Sequence, residues 1–221
     1  RQLLLRRERL DVVDAVRRIV AIQAQEPASV YIALWNRLDP FDPAGLDAAF
    51  AGRALVKATL MRITLHAVDA REYPVFHDAM LPTLRSSRLF DRRFTSTGLS
   101  VEDVDGLAPQ VVAFASAPRT NADVEAMLAE RIGAVPERGV WWALRSFAPL
   151  VHAPTGGPWS FGLRPSYVAG PPKPALPCIR RTARDRRLRS RQWQQGPCGA
   201  AQAAVGPGAL GPGRGRRLPH G

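Results

Sequence analysis

The residues whose types and spacing best suit chemistry on a charged substrate are Arg62, Thr64 and His66. Alternation along a strand puts Thr64 and His66, with Arg62, on one face, opposite Ile63, Leu65 and Ala67. A guanidinium, a hydroxyl and an imidazole together suit contact with phosphate. The same imidazole could also be a hydrogen-bonded structural histidine on a half-buried strand. Lys57, Arg53 and Arg145 are further candidates for phosphate contact, each a weak signal alone. Trp35, Trp141 and Trp142 read as core, and Trp159 beside Gly156-Gly157 reads as exposed. There is no Gly-x-Ser-x-Gly elbow, P-loop or His-Glu-x-x-His pair. His66, His77 and His152 lack metal-ligand spacing, so neither a metal nor a cofactor is expected.

Short helices and strand pairs must position these groups. Asp11 is placed to cap a first helix whose apolar spacing runs through Ile22, with Val12, Val16 and Ile19 on one face. Pro27 opens a second helix carrying Val30, Tyr31, Leu34 and Trp35. A third helix spans 46–50, and strands at 54–58 and 63–68 follow around a turn at 60–62. Helices then a hairpin form the winged-helix plan. The pattern recurs beyond helices at 70–88 and 101–115. A helix capped by Thr120 or Asn121 runs to about 132, another starts at Val140, and strands at 150–152 and 159–168 flank a Pro-Gly-Gly-Pro turn. The expected class is mainly α with short β-hairpins. The expected domains are a winged-helix unit at 1–69, linking helices at 70–118, a second unit at 119–170, and a disordered tail at 171–221.

Composition separates that tail from the body. The formal charge is +12. From Pro171 onward eleven Lys/Arg face one acid, Asp185, giving +10; the preceding 170 residues hold 20 Lys/Arg and 18 Asp/Glu, giving +2. A high pI is therefore a property of the tail, and local arginines must carry any argument about polyanions. With eight prolines, eight glycines and one aromatic, Trp193, the tail cannot bury enough surface to offset chain entropy. It reads either as a basic arm around 180–191 or as frame-shifted coding sequence. Both cysteines, Cys178 and Cys198, lie in it, and the body has none, which fits a reducing compartment. No apolar run approaches the roughly 18 residues of a membrane span. A soluble cytoplasmic protein is the expectation, and a start at Arg1 suggests that N-terminal sequence is missing.

The run Arg17-Arg18-Ile19-Val20-Ala21-Ile22-Gln23-Ala24-Gln25-Glu26 and the later Leu60-Met61-Arg62-Ile63-Thr64-Leu65-His66 resemble a bacterial, actinobacterial-type winged-helix DNA-binding family. The likeness continues through Arg119-Thr120-Asn121 and Trp141-Trp142-Ala143-Leu144-Arg145 to Ser160-Phe161-Gly162 and Tyr167, covering about 3–169. That family includes alkylpurine and interstrand-crosslink DNA glycosylases, among them an azinomycin-resistance enzyme. Its members usually continue through a third unit. The resemblance implies double-stranded DNA as partner, no cofactor, and a Gln-aliphatic-Gln catalytic signature at Gln23, Ala24 and Gln25. An amide is no general base, but it can orient water and turn its carbonyl dipole toward a cationic sugar. Two amides at i and i+2 converge only if the helix ends there, which Pro27 favours. Glu26 is the rival water activator, and glutamines near a helix end also commonly cap backbone. A non-catalytic regulator on the same scaffold, or an inactive truncated member, remains the alternative.

Overall fold

The computed structural model describes residues 2–133 and 136–173. α1 (Val12–Ile19) starts where Asp11 accepts a hydrogen bond from the Val13 amide at 2.8 Å, and it buries Val12, Ala15, Val16 and Ile19. It stops short of Ile22. Val20 adopts φ 88° and the chain enters β1 (Ile22–Gln23), an element that helical spacing does not predict. Apolar residues at 19, 20 and 22 fit either period, and pairing with β3 (Leu65–Asp69) decides between them. α2 (Ser29–Trp35), α3 (Pro43–Ala51) and β2 (Leu55–Thr59) follow, with Asp42 capping α3. A 3-10 turn at Met61–Ile63 leads into β3.

Beyond β3 come α4 (Tyr73–Leu89), the short α5 (Arg92–Thr95), which the pattern does not predict, and α6 (Val101–Phe114). β4 (Arg119–Thr120), α7 (Asn121–Ile132), α8 (Glu137–Phe147), β5 (Leu150–His152) and β6 (Ser166–Ala169) complete the described chain. Thr120 caps α7 reciprocally with Asp123, whose carboxylate accepts from the Thr120 amide at 2.7 Å. The protein is mainly helical with short antiparallel strands, as its pattern implies.

Among the described residues six strands form one antiparallel sheet in the order β1-β3-β2-β5-β6-β4. The order is symmetric about its middle. α1-β1-α2-α3-β2-β3 is repeated as α6-β4-α7-α8-β5-β6, with α4 and α5 between. The halves join where Lys57 on β2 faces His152 on β5. Both hairpins turn through a 3-10 segment holding two consecutive left-handed non-glycine residues, Arg62-Ile63 and Trp159-Ser160.

Cross-strand partners share a face. One face carries Leu55, Ala67 and Ile22 toward the cluster of α1 to α3, and Leu150 and Tyr167 toward the cluster of α4 to α8. The opposite face, with Val56, Ala58, Val68, Val151 and Val168, packs on Tyr73. α8 is the centre of the second cluster, with Trp141 and Leu144 essentially inaccessible. Gly139 is required there, because a Cβ would lie 2.5 Å from the Arg93 carbonyl on α5. The expected tail disorder, the basic arm at 180–191 and both cysteines lie outside the described residues. Among the described residues no helix is long and apolar enough to cross a membrane. Nor do three or more His, Cys, Asp or Glu residues gather there as a possible metal site.

Truncating Leu144 to Ala removes a fully buried side chain from α8. The expected cost is about 2–5 kcal/mol in denaturant-induced unfolding. A change below about 1 kcal/mol would show that α8 is not central to the core.

Candidate active site

Gln23 lies in β1 and Gln25 in the bend that follows it, not at a helix end. Gln23 faces His66 across β1 and β3. The Ala24 amide continues the ladder by donating to the Leu65 carbonyl at 2.8 Å. The Leu65 amide in turn donates to the Gln25 side-chain Oε1 at 3.4 Å. Ala24 is buried while Gln23 and Gln25 are exposed. The helix end that would make the two amides converge is absent: Gln23 lies opposite His66 on β3, whereas Gln25, in the bend beyond β1, reaches the Leu65 amide. Glu26 is exposed just beyond the pair.

His66 is buried beside Gln23, and its Nδ1 lies 3.0 Å from the Thr64 carbonyl. Burial, with the Arg62 charge, holds it below the ordinary histidine pKa, so it is a neutral imidazole near pH 7. Arg62 does not share the strand face predicted for it. It sits in the left-handed turn at φ 55°, exposed, because the strand begins only at Leu65. The Thr64 hydroxyl donates to the Met61 carbonyl at 3.1 Å and closes that same turn. The structure therefore brings Gln23, Gln25, His66 and Arg62 to one end of the β2–β3 hairpin, with Thr64 shaping the turn.

Lys57 and Arg145 lie elsewhere. Lys57 is 5% exposed, and its Nζ lies 4.8 Å from the centre of the Phe161 ring. It is not a surface cation of the kind the sequence suggests: pairing with Ala67 and His152 turns it onto the buried face of the sheet. Burial lowers its pKa, and Glu26 opposes that shift. It lines a cavity of about 220 Å³ together with Gln25, Leu65, His152, Thr155 and Phe161. Gln23 is not part of that lining. Arg145 on α8 is half-buried and close enough to Tyr167 and His152 to influence both. Arg53, expected at a phosphate, is exposed but donates to the Ala169 carbonyl at 2.5 Å.

Sequence reasoning missed His152 as a neighbour of the candidate site. A lone histidine at a strand end carries no spacing signal, and only the β2–β5 pairing reveals it. Of the tryptophans expected in the core, Trp141 is buried and Trp142 lies between Arg88 and Arg93, 4.4 and 4.5 Å from its ring centre. Trp35 departs from that expectation at 54% exposed, capped by the Arg7 guanidinium at 4.9 Å.

Comparison with known proteins gives two findings. The family model described as DNA glycosylase AlkZ-like matches residues 16–211, extending past Ala169, where the resemblance read from sequence was expected to end. The solved structure of Streptomyces sahachiroi DNA glycosylase AlkZ is similar, with a TM-score of 0.60 and 20% identity. The match covers 76% of this chain and 46% of that one, so this chain spans less than half of the solved protein. At that identity the likeness is one of fold. No curated protein matches in sequence.

Burial, then the charges of Lys57 and Arg145, lower the His152 pKa from 6.5 to about 3. The unfolded chain takes up this proton near pH 6.5 and the folded one does not. Stability from the neutral ring is therefore complete above the unfolded pKa and is lost as pH falls from about 6.5 toward about 3. Acid titration of unfolding free energy is expected to show a decline of up to about 1.4 kcal/mol per pH unit from this group. His152→Phe flattens that slope; an unchanged slope in the variant contradicts the assignment.

Proposed function

The chain belongs to the AlkZ-like DNA glycosylase family, and on that premise we propose that it hydrolyses the N-glycosidic bond of N7-alkylated purines in double-stranded DNA, with Gln23 and Gln25 placing the attacking water. The observation that carries this reading is the pairing of β1 with β3, which sets the exposed Gln23 opposite His66 and lets the side chain of the exposed Gln25 accept from the Leu65 amide.

A purine alkylated at N7 is already cationic and leaves without protonation. The C1′–N9 bond breaks, its electron pair neutralises the departing base, and the sugar becomes oxocarbenium-like. Water then attacks C1′ and releases its proton to solvent. The chain has to orient that water and stabilise the sugar cation, which amide dipoles can do without a suitable pKa. The Gln25 carbonyl is engaged by the Leu65 amide, leaving its NH2 and the whole Gln23 amide for this task. The cavity beside Gln25, about 220 Å³, is smaller than the roughly 300 Å³ at which small-molecule clefts begin. It suits a sugar or a phosphate better than a whole extruded purine. Arg62 on the exposed turn is placed for a backbone phosphate; Lys57 could reach one only through that cavity.

In this reading each half of the chain is a winged-helix unit, with Arg62 and Trp159 on the two wings. The division at 1–69 and 119–170 then gains α6 for the second unit, because α6 packs on α8 and β6 as α1 packs on α3 and β3. The chain acts on DNA inside the cell. A sequence-reading regulator fits less well: α2 and α3 carry no lysine or arginine, and α3 holds an acid, Asp47. Neither helix offers a basic face to the major groove.

The test is purified protein incubated with duplex containing N7-methylguanine, scored for abasic sites. Release is expected, and Gln25→Ala and Gln23→Ala are each expected to lower it on the order of a hundredfold with folding intact, the scale of losing one preorganised polar group. Unchanged release in both variants would remove the catalytic assignment.

A further inference from the structure

The tip of the β5–β6 hairpin presents a tryptophan from a rigid support. Trp159 and Ser160 are both left-handed, at φ 59° and 60°, a conformation that side chains other than glycine rarely adopt. Such backbone persists only where its surroundings over-determine it. Here they do. Ser160 is buried, its hydroxyl donates to the Asp47 carboxylate at 2.5 Å, and it lies 2.7 Å from the Tyr31 hydroxyl. Tyr31 donates to the same carboxylate. On the other side Phe161 packs edge-on against Phe50, 4.9 Å between ring centres.

This clamp turns Trp159 outward. Among the described residues its one aromatic contact is the edge of Tyr31, at 5.0 Å, and 49% of the residue is exposed. Leu163, on the same loop, is fully exposed at 100%, and Arg164 beside it is exposed. Between Ala153 and Lys173 the sequence contains Arg164 and Lys173 and no acidic residue. The loop's own charged side chains are thus cationic, with the Asp47 carboxylate of α3 against Ser160. The loop also borders the cavity reached by Gln25, through Thr155 and Phe161 to Pro165.

A rigidly held, half-exposed indole is a stacking surface for a nucleic-acid base. Paired bases within a duplex hide their faces against neighbouring steps. A base whose partner has been removed lies beside a gap into which a ring can enter. We propose that Trp159 stacks in the gap left by base removal, against the unpaired base of DNA facing it, and so holds the abasic product. The proposal rests on the glycosylase reading for the origin of the gap, and its test does not depend on catalysis.

Two 20-base-pair duplexes, one fully paired and one with a tetrahydrofuran abasic analogue at its centre, are titrated with the full chain at equal salt. The parent is expected to prefer the gapped duplex about tenfold, within the range of one stacked base. Trp159→Ala abolishes that preference while leaving affinity for the paired duplex within twofold, and Trp159→Phe retains most of it. Because alanine also removes the contact with Tyr31, a second readout needs no truncation. Acrylamide quenching of the parent minus that of Trp159→Phe isolates the Trp159 signal. The gapped duplex is expected to shield it and the paired one not. No preference in the parent, a preference kept by Trp159→Ala, or equal shielding by both duplexes overturns the proposal. If the parent shows this Trp159-dependent preference but releases no N7-methylguanine, the stacking role stands and the glycosylase reading fails.

Discussion

The break of α1 at Val20 and the pairing of β1 with β3 are the constraint on which the candidate site depends. Were α1 to continue through Gln23, side chains at i and i+2 would lie about 200° apart around its axis. The two amides could not then address one atom. The break at Val20, with its unfavourable φ of 88°, prevents this. Its amide still donates to Val16 and Arg17 carbonyls at 2.8 and 3.2 Å, so the helix end is satisfied. Arg17 meanwhile grips the buried Asp69 carboxylate at the far end of β3, at 2.7 Å. Helix end and strand are tied together at the Asp69 end, and the chain runs from there along β3 to bring Gln23 opposite His66.

The electrostatics around this segment divide the work by position. The amides are neutral, and two cations lie close to them: Arg62 on the exposed turn near His66, and the buried Lys57 in the cavity that Gln25 also lines. Arg62 is the one placed to meet a phosphate from outside. Within the sheet, burial keeps His66 and His152 below their ordinary pKa. The repeat adds a second hairpin whose tip has the same backbone but a different side chain, tryptophan in place of arginine.

Much of this was legible in the sequence. Asp11 and Thr120 are cap residues by type and place, and both serve as caps. The two hairpins follow from β-branched and aromatic runs around turn signals. Two-residue strands are too short to carry a period, so β1 and β4 could be found only through their partners. The left-handed tips escaped notice because glycine is their usual marker and neither tip uses it at those positions. Lys57 departs from its sequence expectation for a related reason: lysine is rarely buried, and its cross-strand partners Ala67 and His152 place it inside. The pairing of Gln23 with His66 was within reach of strand alternation, but helical spacing at 19–22 masked it.

The most direct measurement is a crystal structure of the chain bound to duplex containing 1-azaribose, a sugar that carries positive charge where the oxocarbenium forms. The account predicts that the Gln23 amide lies within hydrogen-bonding distance of the charged sugar nitrogen or of a water on it, with Gln25 beside it and β1 still paired to β3. A sugar bound away from both amides, or a β1 segment rewound into helix, would contradict it.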